Sequence, residues 1–303
     1  MNDFKRSKRF VWLFLVGCLI HLTIVGQTEL AGANKSCLWK VTSPNQAKNA
    51  VYLLGSIHLL KPENYPLKQS LLTAFENSQI LLFEINLDSA ETPEMQQFLL
   101  AKGMYTNDST LQQSMSPETY AVAEKTVADL GLNIDLMHKF KPWFFSITLM
   151  SLKLKQLGFD PNWGVDKWFF DKAKQDHKTI VALETVADQL NLFDQLMTKQ
   201  GEALILQTLE EFKVLEKEID QLVLAWNKGD TQKLEALLLK SFKEYPEIYD
   251  SIVLKRNANW LPQIENQFKR QENCLVVVGS GHLIGKNSLI DLLKQKGYSI
   301  EQL

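Results

Sequence analysis

The sequence carries little net charge of either sign. Its 33 basic and 35 acidic side chains leave a net charge of -2. The isoelectric point is near 6.2, so the basic footprint that holds a nucleic acid backbone is missing and nucleic acid is excluded as a partner. No segment is low in complexity. Past the N-terminal segment no apolar run is long enough to cross a bilayer. Three catalytic signatures are also lacking. There is no His-Glu-x-x-His helix, no Gly-x-Ser-x-Gly elbow and no Walker-type phosphate loop, although Ser56 and Ser280 do adjoin histidines. Histidine is scarce at five residues, and cysteine scarcer at three.

What is present is a matched pair of motifs. Val51-Tyr-Leu-Leu-Gly55-Ser56-Ile57-His58-Leu59 near the front is echoed by Val276-Val-Val-Gly279-Ser280-Gly281-His282-Leu283 near the back. Each copy is an aliphatic run with the signature of a buried strand, broken by a glycine and followed three residues later by a histidine. A helix-like stretch follows each, Leu67 to Phe75 and Ser288 to Lys296. In a parallel sheet, ligands bind beyond the carboxyl ends of the strands, where both histidines fall. If the strands are neighbours the imidazoles converge, and neutral imidazole is the commonest transition-metal ligand. A lone histidine at a turn is most simply packed against a carbonyl. Sterics alone do not place one twice in the same frame.

The first 33 residues read as an address. Lys5, Arg6, Lys8 and Arg9 precede an apolar run from Phe10 to Gly26 and then Ala31-Gly-Ala33, the pattern of a secretory signal cleaved after Ala33. The expectation is an exported, periplasmic or extracellular protein, touching the membrane only through this segment. The alternatives are an uncleaved anchor or a lipoprotein at Cys18, which closes the lipobox-like Leu15-Val-Gly-Cys18. Export makes a Cys37–Cys274 disulfide conceivable. A hairpin of Leu38–Thr42 with Val51–Leu54 argues against it, since Cys37 then sits at the histidine end and Cys274 at the other.

The whole chain of 303 residues is 45% hydrophobic and 22% charged, enough for one large or two ordinary globular domains, and the fold is expected in residues 34–303. Ile80-Leu-Leu-Phe-Glu84-Ile85 predicts a buried strand ending in a carboxylate, and Thr179-Ile-Val-Ala-Leu-Glu184-Thr185 repeats it. An acid flanked by Phe83 and Ile85 is costly to bury unpaired, so Glu84 should meet a metal, an arginine or another cation, or else turn out to water. Roughly residues 92–250 read as an inserted helical lobe. Ser116-Pro117 caps one helix, Gly158 closes another, and the charged stretches to Lys228 and from Thr231 to Phe242 read as solvated faces. The aromatic cluster from Phe140 to Phe170 reads as core before it reads as a groove. His138 and His177 read as surface residues. Arg256-Asn257 lies on a helix opened by Pro246.

Taken together in this order, the two Gly-x-x-His motifs, the Phe-Glu84 strand end, the Leu-Glu184-Thr segment, Arg256-Asn257 and the ending Gly279-x-Gly-His-Leu-x-Gly285 resemble the TraB/GumN family, which includes the Tiki metalloproteases. The resemblance runs from Leu38 to the C-terminus. It implies an α/β fold similar to the erythromycin esterase and ChaN group, with a helical insertion; with the repeated motifs, the expectation is a central mixed sheet built from two pseudo-equivalent strand, Gly-x-x-His, helix units with a large helical insertion between them. It also implies a site of two histidines, a glutamate and an arginine. The function expected is a metal-dependent hydrolase of peptide bonds. His58, His282 and Glu84 would hold a divalent metal (Mn, Co or Zn). Glu84 and Glu184 would share the carboxylate roles, and Arg256 would stabilise the oxyanion or hold a substrate carboxylate. Two other readings stand beside it: a non-catalytic binding protein for a peptide signal, haem or metal, and a metal-free esterase-like hydrolase with histidine as base.

Overall fold

A strand with no polar face demands neighbours on both edges and cover on both sides. Cys274-Leu-Val-Val-Val-Gly279 is such a run, and all six of its residues are buried. In the structure, a computed structural model that describes residues 35–44, 46–197, 201–238 and 246–303, this strand lies third in a six-stranded sheet. The strands in chain order are β1 (Leu38–Ser43), β2 (Gln46–Ser56), β3 (Ile80–Phe83), β4 (Thr179–Ala182), β5 (Cys274–Gly279) and β6 (Ser299–Gln302), and their spatial order is β4-β3-β5-β2-β1-β6. β4, β3, β5 and β2 run parallel, while β1 is antiparallel to both β2 and β6. The chain is therefore α/β with a mixed sheet. The segment 1–33, with Cys18 and His21, lies outside the described residues.

The two motif strands, β2 and β5, are direct neighbours, but their register differs from that of a repeat. Ser56 pairs with Gly279, and Gly55 with Val278. The two glycines are thus one residue out of step, and His58 lies two residues past its paired position where His282 lies three past its own. The chain also leaves the two strands differently. Ser280–His282 forms a 3-10 turn directly after β5, whereas β2 ends at Ser56 and the chain runs on without regular structure to a 3-10 turn at Pro62–Asn64.

The hairpin forms, with Leu38 opposite Leu54 and Val41 opposite Val51. The Cys37 carbonyl accepts the Gly55 N–H at one end of β2, while Cys274 pairs with Val51 at the other. Four residues of extended strand span about 13 Å, beyond disulfide reach, and both cysteines are free and buried.

Helices cover the sheet, most of them between β3 and β5, where the sequence predicts a helical lobe. α1 (Gln69–Glu76) starts two residues later than the sequence predicts and buries Leu71 and Phe75. The lobe comprises α2 (Pro93–Gly103), α3 (Pro117–Asp129), α4 (Pro142–Gln156), α5 (Val165–Gln175), α6 (Val186–Met197), α7 (Gly201–Lys228) and α8 (Thr231–Leu238). Ser116 Oγ accepts the Thr119 N–H, as an N-cap should, and Gly158 leaves α4 at φ +87°, a left-handed value that suits glycine. α3, α4 and α7 share an apolar cluster through Val127, Phe145, Leu149 and Leu209. The long charged helix α7 is solvated on one face only. Its Leu215, Ile219, Leu222 and Trp226 are buried at helical spacing, and Trp226 Nε1 donates to the Gly55 carbonyl at 2.7 Å. Burying each such side chain stabilises the fold by about 1.5–3 kcal/mol. Trp143, Phe145, Phe159, Phe169 and Phe170 are buried, so the aromatic cluster is mainly core. α9 (Lys255–Glu265) follows a π-helical turn at Asp250–Leu254, and α10 (Leu289–Gln295) follows β5. No helix among the described residues is long and apolar enough to cross a membrane.

Candidate active site

Parallel strands release their last residues on one edge, and here that edge gathers every candidate. Beyond β3 and β4, the ladder continues with Leu183 N–H to Phe83 carbonyl at 2.8 Å and Glu184 N–H to Glu84 carbonyl at 2.9 Å. Glu84 and Glu184 are therefore side by side. Two neighbouring carboxylates repel each other unless a cation joins them. Arg256 does so: its Nη2 lies 2.5 Å from Glu84 Oε2 and 2.6 Å from Glu184 Oε1, and its Nε lies 2.9 Å from Glu184 Oε1. The guanidinium stacks 4.5 Å from the Trp260 ring, and Trp260 Nε1 donates to Glu184 Oε2 at 3.2 Å. Gln189 Nε2 donates to Glu184 Oε1 at 2.8 Å. All three charged side chains are 11–13% exposed, so the cluster stands as a paired, hydrogen-bonded unit. The expectation that Glu84 meets a cation resolves to the arginine.

Gly279 is where the motif glycine matters. A Cβ there would lie 3.3 Å from Glu84 Oε1, 3.3 Å from His58 Nε2 and 3.8 Å from His282 Cδ2. Both histidines and the glutamate thus surround one point, and a side chain would crowd all three. Gly279 N–H donates to Glu84 Oε1 at 2.7 Å. Burial alone would raise the Glu84 pKa, but the Arg256 charge outweighs it, with the imidazoles and this N–H adding to the effect, and holds the carboxyl well below the usual range.

The two imidazoles are held by different partners. His282 Nδ1 is 2.7 Å from Asn257 Oδ1. Asn257 Nδ2 donates to the carbonyls of His282 and Asn287, so Oδ1 accepts and the His282 proton is assigned to Nδ1. The Nε2 lone pair then faces Arg256 Nη1 at 3.1 Å. Burial and the neighbouring Arg256 charge push the His282 pKa down to about 3, which makes it a neutral imidazole. His58 Nδ1 lies 3.1 Å from Asp166 Oδ2, and its side chain is 36% exposed. Burial works against its proton, but the charge and hydrogen bond of Asp166 prevail and hold its pKa up at about 9.

Asp166 sits in the first turn of α5, and that helix is pinned to the His58 strand end. Val165 N–H donates to the Ile57 carbonyl at 2.9 Å. Gly164 packs so closely that a Cβ would come within 2.3 Å of the His58 carbonyl oxygen.

Sequence reasoning assigned no role to Asp166, Asn257, Gln189 or Trp260. Asp166 reads as an ordinary acid opening a helix, Asn257 only as a companion of Arg256, and nothing local marks the other two. His138 and His177 are exposed, away from the cluster.

The donor set can be tested against a divalent ion. Two imidazoles, each with Nδ1 tied to an outer partner, and a carboxylate among them are the donor chemistry such ions take. His58 Nε2 and Glu84 Oε1 flank the same point at Gly279. One group opposes: Arg256 Nη1 occupies His282 Nε2 and must withdraw for that nitrogen to ligate. As they stand, the described residues contain no group of three or more His, Cys, Asp or Glu side chains spaced to hold a metal ion.

Residues 37–302 match the model of the TraB/PrgY/gumN family. Over 246 residues, 80% of this chain and 87% of the relative, the sequence is 24% identical to YbaP of Escherichia coli (strain K12), which is described as uncharacterized, and equally so to YbaP of Shigella flexneri. A shorter stretch of 71 residues, 23% of this chain and 14% of the relative, is 35% identical to a metalloprotease TIKI homolog of Amphimedon queenslandica. No solved structure matches the chain. A match that spans nearly all of the sheet and the lobe leaves one conclusion: the chain belongs to the TraB/PrgY/gumN family.

Proposed function

We propose that this protein is an exported hydrolase of peptide bonds that works with a divalent metal. The observation that carries the reading is the convergence of His58, Glu84 and His282 around Gly279, with Arg256 and Glu184 alongside. Similarity to a relative named as a metalloprotease supports it over a short stretch. His58, His282 and Glu84 would hold the ion (Mn, Co or Zn). Bound there, such an ion supplies a water with a pKa near about 7 and polarises the carbonyl under attack. The chain's own groups do the rest. Glu84 or Glu184 takes the proton of the attacking water and returns it to the leaving amine. Arg256 would turn N–H groups toward the oxygen on which charge develops, releasing a present partner to do so, and its burial strengthens the interaction. Asp166 and Asn257 fix the two rings by their Nδ1 atoms, leaving each Nε2 directed inward. Export rests on the signal read in residues 1–33.

One contact favours a second reading. Arg256 Nη1 on His282 Nε2 suits a metal-free hydrolase in which His58, oriented by Asp166, is the acid and base.

Elemental analysis and a peptide-library digest of the purified protein decide between them. The metal reading expects about one bound ion per chain, lost in His58→Ala and His282→Ala, and cleavage lost in Glu84→Gln with at least about a hundredfold drop in rate. Stoichiometric metal unchanged in both histidine variants would sink it. Cleavage that survives a chelator would establish the second reading in its place.

A further inference from the structure

We infer that the cavity beside His58 and Glu84 is a subsite for one large apolar side chain, of the leucine, methionine or phenylalanine kind, next to the bond that is cut. The word "cut" rests on the hydrolase reading; the apolar subsite does not.

The cavity measures about 360 Å³, and His58, Glu84 and Arg256 line it. Ligand pockets run from about 300 to 1,000 Å³, so this one has room for a side chain with its flanking peptide unit and little more. Two of these residues are followed in sequence by an apolar one that lines the same space: His58 by Leu59 and Glu84 by Ile85. Leu87 and Ala90, from the short helix after β3, and Phe193 on α6 complete the apolar wall.

The charges that line the cavity are largely committed. Arg256 is held by two glutamates, Lys167 by Asp171 at 2.6 Å, and Asp166 by His58 through Oδ2, its Oδ1 being buried without a hydrogen-bond partner. A charged side chain entering here would give up its hydration against Leu59, Leu87 and Phe193 for little return. Glu91, exposed and lining the same cavity, opposes an acidic residue outright and makes lysine the informative competitor. An apolar side chain exchanges water for carbon at no such cost.

The test uses the purified protein and two kinds of probe. Decapeptides identical except for one position (Leu, Phe, Ala, Lys or Asp) are digested and the cleavage rates compared. N-acetyl-leucinamide, N-acetyl-lysinamide and N-acetyl-aspartamide are titrated by saturation-transfer NMR, which needs no turnover. Leucine or phenylalanine is expected to exceed alanine by about tenfold or more, and aspartate by more still. Ala90→Trp, which fills the cavity from a partly exposed position, should invert the preference toward alanine. Phe193→Asp, as a second variant on a different element, should abolish leucinamide binding. Cleavage with no preference, or with lysine favoured, overturns the subsite and leaves the hydrolase standing. Leucinamide binding that both variants remove, without cleavage of any peptide, upholds the subsite and overturns the hydrolase. Equal binding of all three amides without cleavage overturns both.

Discussion

His58 and His282 carry the same motif letters and stand on neighbouring strands, yet the structure gives them opposite protonation. His58 is about a third exposed and faces a carboxylate, which holds its pKa up at about 9. His282 is 2% exposed and faces an amide and a guanidinium, and its pKa falls to about 3. A shared motif delivers two rings to one place. Whether each arrives charged or neutral is decided by the second residue it touches, and here those residues come from two different helices, α5 and α9. In the metal-free protein one ring can donate a proton at neutral pH and the other cannot.

The largest effect expected on this contrast comes from Arg256→Ala. It strands Glu84 and Glu184 without their counter-ion and should cost about 3–5 kcal/mol of stability, read from the urea midpoint. It also removes a charge that depresses His282, so the His282 ring should titrate at higher pH by NMR. A loss under about 1 kcal/mol with an unmoved titration would mean that the arginine does not hold the cluster.

Asn257→Asp gives His282 the kind of partner His58 has. Two donors to backbone carbonyls are lost and a buried carboxylate faces them, at a cost of about 1–3 kcal/mol. The His282 pKa should rise toward that of His58; an unchanged value would show that burial alone sets it.

Asp166→Asn is the reverse exchange and the gentlest. Its direct effect on stability should stay under about 1 kcal/mol because the pair is partly solvated, but the pH profile should change shape. The folded-state pKa of His58 is raised, so its contribution is full below the ordinary value of about 6.5 and disappears as pH climbs through about 9. That decline should flatten in the variant. The His282 pKa is depressed, so its contribution is full above about 6.5 and disappears as pH falls toward about 3. The acid side of the profile should be unaltered by Asp166→Asn. Denaturation midpoints from pH 4 to 10, taken on metal-free protein, check both limbs.

Much of the site was legible in the chain. His58, Glu84, Glu184 and His282 each follow an aliphatic run, and a strand end in a parallel sheet is a place for function because the chain leaves the sheet there. Arg256 was legible only through its company, since an arginine on a helix is ordinarily a surface cation. Asp166 and Asn257 were not legible as partners, because a helix-opening acid and an asparagine beside an arginine have commoner explanations. The one-residue offset between the two motifs was likewise invisible. Gly-x-x-His counts positions along each strand, whereas Ser56 against Gly279 is a matter of how two strands slide past each other.

Alternation, aliphatic runs, caps and glycine turns are local, so the residues themselves determined the strands, most of the helix boundaries and the acids and imidazoles at the strand ends. Only the tertiary structure decided which strands are neighbours, that one guanidinium bridges two carboxylates from different strands, and which imidazole is charged. Those outcomes depend on contacts between residues far apart in the chain, where burial and a neighbour's charge, rather than residue type, set the energy of a proton.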